Sequence, residues 1–205
     1  MFIVNWTQQM VTTARGSFEL YVKGKGEPLC ISHMYAEFSD SGNNFAEVFV
    51  KHRQVFLVNL KNSGNSSRVK HLRELSMNET VEDLESIREV LGFERWGYAG
   101  HSTGGFLGLN YAVRNPKSLE LLILSGTAAS NDFLKSDKCL YNFKGMYGKD
   151  YFKIFITLAL PLFRKKKLAA NRKWIELSLY HPERFEAYFG DHTIQKTNMK
   201  RMRHT

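Results

Sequence analysis

The sequence predicts an α/β fold with a mostly parallel sheet, followed by a helical region. Two observations carry this prediction. Over residues 1–130, short apolar runs alternate with amphipathic helical patterns, which is typical of a sheet with flanking helices. After residue 125 the strand-like runs stop and only helical patterns remain. We therefore expect two structural units, residues 1–130 and residues 131–205.

The first unit contains five strand-like runs. Residues 17–23 alternate polar and apolar side chains before a turn, which predicts a half-exposed strand that leaves a hairpin. The other four runs are continuous and apolar, as expected for strands that are buried on both faces. They span residues 28–33, 55–60, 95–101 and 119–125.

Two helices are predicted between these strands. Apolar side chains recur every three to four residues over 77–91, and Ser76 followed by Glu79 predicts a capping-box start for this helix. A second helix is predicted over 104–115, where small residues line one face and Pro116 forbids continuation. Alternating strands and helices indicate right-handed crossovers between parallel strands.

Charge is distributed unevenly along the chain. Residues 1–130 carry 13 basic and 13 acidic side chains, whereas residues 131–205 carry 16 and 7. The formal net charge of +9 therefore belongs to the second region, and so abrupt a change supports a boundary near residue 130. The basic run 164–167 would attract a polyanion, but no nucleic-acid-binding motif accompanies it. We interpret it as a solvated helix face and expect no nucleic-acid partner.

The sequence predicts neither a signal peptide nor a membrane-spanning segment. The first residues show neither the basic region nor the apolar stretch of a signal peptide. The most apolar window, 152–163, is shorter than the roughly 20 helical residues that span a bilayer. Cys30 and Cys139 are far apart, without metal-type spacing, and are expected to be free thiols. We expect a cytoplasmic protein with no membrane partner, no metal and no cofactor.

The motif that carries chemistry is Gly100-His101-Ser102-Thr103-Gly104, which matches G-x-S-x-G. It lies between a predicted strand and a predicted helix rich in small residues. In this context a sharp turn exposes the serine hydroxyl beside a helix N-terminus, whose dipole favours developing negative charge. Ser102 is therefore the candidate nucleophile. The alternative is an ordinary serine in a glycine-rich turn.

Two further segments resemble motifs of the α/β-hydrolases. Residues 31–35 resemble the His-Gly-x segment of that family, with Met34 in place of the glycine. Residues 59–66 resemble its D-x-R-G-x-G-x-S loop, with Asn59 in place of the acid. With the motif around Ser102, they indicate a resemblance to α/β-hydrolases with a helical cap, such as proline iminopeptidase-like and small bacterial esterase-like enzymes. The helical region after residue 140 resembles that cap.

The resemblance implies a serine hydrolase that acts on a small-molecule ester or amide. Ser102 would attack the carbonyl carbon, and the backbone N–H groups of Thr103 and Tyr35 would form the oxyanion hole. His33 would brace the loop after its strand through hydrogen bonds. The supporting residues of the turn are Gly100, His101 and Gly104.

The resemblance also implies that the catalytic acid and histidine follow the cap, in the family's last strands, which would come after residue 205. His181, His192 and His204 match no catalytic position, and Asp132 at an alternative acid position would have no histidine to orient. We expect a truncated hydrolase with impaired activity. The alternative is a non-catalytic ligand-binding or interaction module on the same fold. The last predicted strand, 119–125, which corresponds to the family's sixth, is expected to be an apolar edge that favours self-association.

Overall fold

Six strands form one sheet in the computed structural model, which describes residues 5–160 and 163–189. They are β1 (Thr7–Thr13), β2 (Gly16–Lys23), β3 (Pro28–Ser32), β4 (Gln54–Val58), β5 (Trp96–His101) and β6 (Leu119–Ser125). Their order is β1-β2-β4-β3-β5-β6, and β2 pairs antiparallel with both β1 and β4. The other three pairs are parallel. This confirms the predicted α/β sheet.

Helices connect the strands and build the second part of the chain. The α-helices are α1 (Asn44–Glu47), α2 (Met77–Val90), α3 (Thr103–Arg114), α4 (Gly148–Ala159), α5 (Arg164–Ser178) and α6 (Phe185–Phe189). Short 3₁₀ helices span Leu72–Leu75, Pro116–Ser118, Asn131–Lys135 and Pro182–Arg184. At the start of α2 the Ser76 hydroxyl accepts a hydrogen bond from Glu79 N, so the predicted N-terminal cap is confirmed.

The continuous apolar runs of the parallel strands follow from burial of both sheet faces. Successive side chains of a strand point to opposite faces, so Cys30 and Phe56 lie in one apolar cluster with α2 and α3. Ile31 and Leu57 lie in the other cluster, with Trp6. All these strand residues are at most 3% exposed, so the buried positions of β3 and β4 need an apolar or small side chain.

The first strand was not predicted from the sequence. β1 reads Thr-Gln-Gln-Met-Val-Thr-Thr, in which five of seven side chains are polar, and most of them face solvent. It is an edge strand held by antiparallel pairing to β2 along its whole length. The strand is held by backbone hydrogen bonds, which do not depend on side-chain type, so its sequence shows no alternation of apolar and polar residues.

The described residues fall into two compact units, one that ends at Ala129 and one that begins at Ser130. The second unit contains α4, α5 and α6. Three of its aromatic rings, those of Tyr141, Tyr151 and Trp174, have centroids 5.4–5.6 Å apart. Among the helices described in either unit, none has the length and apolar character needed to cross a bilayer.

Candidate active site

Ser102 lies at the sharp turn between β5 and α3 and has a strained backbone, with φ 53° and ψ −121°. Only one other non-glycine residue of the described chain, Asn62, has a positive φ. Such a conformation costs about 1–3 kcal/mol and persists only where the surroundings fix it. Here the Ser102 N–H donates to Ser125 O on β6 at 3.0 Å, which extends the parallel pairing through the turn.

Close backbone approach explains the glycines two residues before and two after Ser102. A Cβ atom at Gly100 would lie 2.2 Å from the carbonyl oxygen of Gly104. One at Gly104 would lie 2.3 Å from the carbonyl oxygen of Ser32 on β3. Both distances are far below van der Waals contact with backbone that cannot move aside. The G-x-S-x-G spacing is therefore a packing requirement of this turn.

The turn presents the half-buried Ser102 beside the N-terminus of α3. Thr103 is the first helical residue, so its N–H has no acceptor within the helix and is available to an anion. Among the described residues up to Ala129, no side chain makes a hydrogen bond to Ser102 Oγ. The adjacent ring of His101 lies instead 3.4 Å from Ser125 Oγ, measured from Nδ1.

The loop after β3 is organised around the ring of His33. His33 Nδ1 accepts hydrogen bonds from Tyr35 N at 3.1 Å and from Ala36 N at 3.0 Å. A ring nitrogen that accepts is unprotonated, so the proton is on Nε2, which donates to Thr103 Oγ1 at 3.1 Å. Burial, together with the nearby His101, lowers the pKa of His33 to about 4. His33 is therefore a neutral brace near pH 7.

The same geometry constrains the predicted oxyanion hole. Tyr35 N and Thr103 Oγ1 are both hydrogen-bonded to the ring of His33. The Tyr35 N–H, however, donates to the His33 ring. It reaches a substrate oxygen only if that hydrogen bond is shared or exchanged.

Sequence reasoning missed Glu19, a buried carboxylate beneath the neighbouring loops. The strand β2 was expected to be half-exposed, but Phe18, Glu19, Leu20 and Tyr21 are all buried, and Glu19 is 2% exposed. Asn59 donates to Glu19 from Nδ2 at 2.8 Å. An amide in place of the family's acid at position 59 was the available signal, because an amide can pair with a carboxylate.

Two of the remaining candidate residues belong to the second unit and pair with residues close to them in sequence. His181 is exposed and lies 2.8 Å from Glu183 Oε1. Asp132 is exposed and accepts hydrogen bonds from Lys135 and Ser130. His192 and His204 lie outside the described residues. In the described chain, no group of three or more His, Cys, Asp or Glu side chains is arranged to hold a metal ion.

Comparison with known proteins shows which family the chain resembles. Residues 27–199 match the model of the alpha/beta hydrolase fold. The chain is 39% identical to an alpha/beta fold family hydrolase from Bacillus anthracis str. Sterne, with a TM-score of 0.91 over 97% of this chain and 72% of that one.

Two named relatives match shorter stretches. A proline iminopeptidase of Lactobacillus delbrueckii subsp. lactis is 33% identical over 56% of this chain and 42% of its own length. A relative from Azorhizobium caulinodans, named as a carbamate hydrolase, is 27% identical over 58% and 46%. The chain spans less than half the length of either relative. Because the family model covers well over half of the residues, the chain belongs to the alpha/beta hydrolase fold family.

Proposed function

We propose that this chain supplies the nucleophile and the oxyanion site of a serine hydrolase that acts on a small-molecule ester or amide. The observation that carries the proposal is the positive φ of Ser102 at the start of α3, between two glycines that admit no Cβ atom. Related proteins named as a carbamate hydrolase and a proline iminopeptidase support an acyl carbonyl as the reacting group.

In the proposed reaction Ser102 Oγ attacks the carbonyl carbon, and the carbonyl electron pair moves to its oxygen. The Thr103 N–H and the positive end of the α3 dipole stabilise this oxyanion. The Tyr35 N–H becomes the second donor when it turns from His33 Nδ1 to the oxyanion. Loss of one such donor typically lowers the rate about 100-fold or more.

The attacking hydroxyl must lose a proton, so the reaction requires a base in contact with Ser102 Oγ. His33 cannot serve as the base, because its Nδ1 accepts two N–H groups and its Nε2 faces Thr103. Among the other histidines of the unit that ends at Ala129, none is hydrogen-bonded to Ser102 Oγ. We therefore propose that residues 1–205 hydrolyse short p-nitrophenyl esters barely above background.

A chemical rescue experiment tests this proposal. The 205-residue protein is treated with a fluorophosphonate, with and without added imidazole as an external base. Covalent labelling should be slow without imidazole and accelerate at least tenfold with it. Ser102→Ala should abolish labelling, whereas the control Ser130→Ala, at another serine outside the turn, should retain it. Labelling that persists in Ser102→Ala would contradict the assignment of the nucleophile.

The second candidate is a non-catalytic module that binds a small ligand on the same fold. It is favoured by one observation, the engagement of the Tyr35 N–H with His33. This function predicts saturable binding of short-chain esters, measured by calorimetry, together with no labelling of Ser102 at any imidazole concentration. Imidazole-dependent labelling would exclude it.

We also propose that the isolated chain self-associates through β6. In the described sheet β6 is an edge strand, in which Leu121, Leu122 and Ile123 are only partly buried and Leu124 is exposed. Its one acidic side chain, Glu120, is paired with Arg53. Because this pairing compensates the charge of Glu120, the side chain opposes the addition of another strand only weakly. Light scattering at micromolar concentration should detect dimers or larger species, and Leu124→Lys should reduce them. A stable monomer at these concentrations would contradict this proposal.

The region 131–205 is proposed to be the basic helical cap of the family, and the start of a compact unit at Ser130 supports that boundary. Limited proteolysis should cut first between residues 130 and 150. Cuts confined to the first hundred residues would argue against the boundary. The free thiols of Cys30 and Cys139 support a cytoplasmic location, which cell fractionation tests.

A further inference from the structure

The buried carboxylate of Glu19 is stabilised in its ionised form by uncharged hydrogen-bond donors. Burial acts to raise its pKa, but the hydrogen bonds outweigh burial and lower the pKa below its ordinary value. Five donors surround it: Gln8 Nε2 at 2.5 Å, Asn65 Nδ2 at 2.7 Å and Tyr21 OH at 3.1 Å on Oε1, with Asn59 Nδ2 at 2.8 Å and Asn65 N at 3.0 Å on Oε2.

The side chain of Asn59 links this carboxylate to the loop that carries Tyr35. Its Nδ2 donates both to Glu19 and to Phe38 O at 3.0 Å, and its Oδ1 accepts from Phe38 N at 2.8 Å. Because a carboxylate can only accept, Glu19 fixes which end of the amide faces it. An aspartate here could neither donate to Phe38 O nor lie beside an ionised Glu19.

A second contact ties the two loops together at Gly64. The Gly64 N–H donates to Glu37 Oε2 at 3.2 Å, one residue before Phe38. Gly64 has φ +49°, and a Cβ atom there would lie 1.9 Å from Glu19 Oε2. The 59–66 loop therefore wraps around the carboxylate closely enough to require glycine.

We propose that Glu19 and Asn59 are positioning residues of the active site, which fix the far end of loop 33–38 and thereby hold the Tyr35 N–H beside Thr103. His33 holds the near end of the same loop. This inference rests on the proposed oxyanion role of Tyr35. Displacement of a reacting group by about 1 Å can cost about 100-fold in rate, so the carboxylate acts on the reaction without touching the substrate.

The test compares Asn59→Asp and Glu19→Gln with the control Gln8→Met. The control removes a donor to Glu19 that comes from the edge strand β1 and has no contact with loop 33–38. Amide hydrogen exchange, followed by NMR, should be at least tenfold faster at Tyr35, Ala36 and Phe38 in both test variants. Exchange in α2 should stay unchanged, and Gln8→Met should resemble the parent protein. Glu19→Gln alone carries the test if Asn59→Asp does not fold.

Imidazole-assisted phosphonylation of Ser102 supplies the second readout. Its limiting rate should fall at least tenfold in the test variants, with the half-saturating probe concentration within twofold of the parent. Unchanged amide exchange in loop 33–38, or faster exchange over the whole unit, would overturn the positioning role whether or not Ser102 reacts. Faster loop exchange with an unchanged labelling rate would also overturn it. Absence of labelling in the parent would contradict the nucleophile instead, and the amide data would still report on the loop.

Discussion

The unit that ends at Ala129 contains buried ion pairs, whereas the ion pairs described in the unit that begins at Ser130 involve exposed side chains. In the first, Lys61 and Asp83 are 4% and 2% exposed and lie 3.1 Å apart in a buried ion pair. In the second, the pairs of Asp132 and Arg172 are exposed to solvent. Buried pairs tolerate no rearrangement, because an unpaired charge there is costly. Breaking a buried pair of the first unit should therefore destabilise the protein far more than breaking an exposed pair of the second.

The largest effect is expected where a buried pair is broken. Asp83→Asn removes the negative partner of Lys61 and of Arg15, whose Nε lies 2.7 Å from Asp83 Oδ1. We expect a loss of about 4 kcal/mol in the free energy of unfolding. The control Glu82→Gln lies next to it on α2, in an exposed pair with Arg114, and should cost less than about 1 kcal/mol. Urea denaturation measures both, and equal losses would remove the basis of the comparison.

The next effect concerns the turn at Ser102. Gly100→Ala places a Cβ atom against the Gly104 carbonyl and should cost about 3 kcal/mol, with loss of Ser102 labelling. Gly92→Ala is the control, because nothing lies within 4 Å of its Cβ position. Only its positive φ of 77° opposes alanine, at about 1 kcal/mol. If the two glycines respond alike, steric exclusion does not shape the turn.

These contrasts also explain how far the sequence could be interpreted. The parallel strands and α2 were predictable, because burial of two sheet faces or of one helix face leaves a periodic apolar pattern. The glycines around Ser102 were recognisable for the same reason, since close packing fixes residue type. The strand β1 left no such pattern, because its pairing uses only backbone atoms. The burial of Glu19 depends on loops that meet it from distant parts of the chain.

A smaller, pH-dependent effect is expected from His33. Its pKa is about 4 in the folded protein and 6.5 without burial, so the unfolded chain binds the proton more readily. The stability that neutral His33 supplies is present above pH 6.5 and is lost as the pH falls towards 4. Since the ring is only partly buried, we expect a loss of at most about 2 kcal/mol. Denaturation at about pH 7 and about pH 4.5 should show a smaller difference in His33→Gln than in the parent. An unchanged difference would assign the acid sensitivity to other groups.

The smallest effect is expected from a second aspartate-to-asparagine substitution, at Asp132 in the second unit. Asp132 follows β6 near an alternative acid position of the family, but its carboxylate is 72% exposed and is bound to Lys135 and Ser130. An exposed pair of this kind contributes little, because water and salt screen both charges. Asp132→Asn should therefore shift the midpoint of thermal unfolding by less than about 2 °C, against a large shift for Asp83→Asn. The imidazole-assisted labelling rate of Ser102 should stay within twofold of the parent. A tenfold fall in that rate with unchanged stability would identify Asp132 as the acid that orients an incoming imidazole.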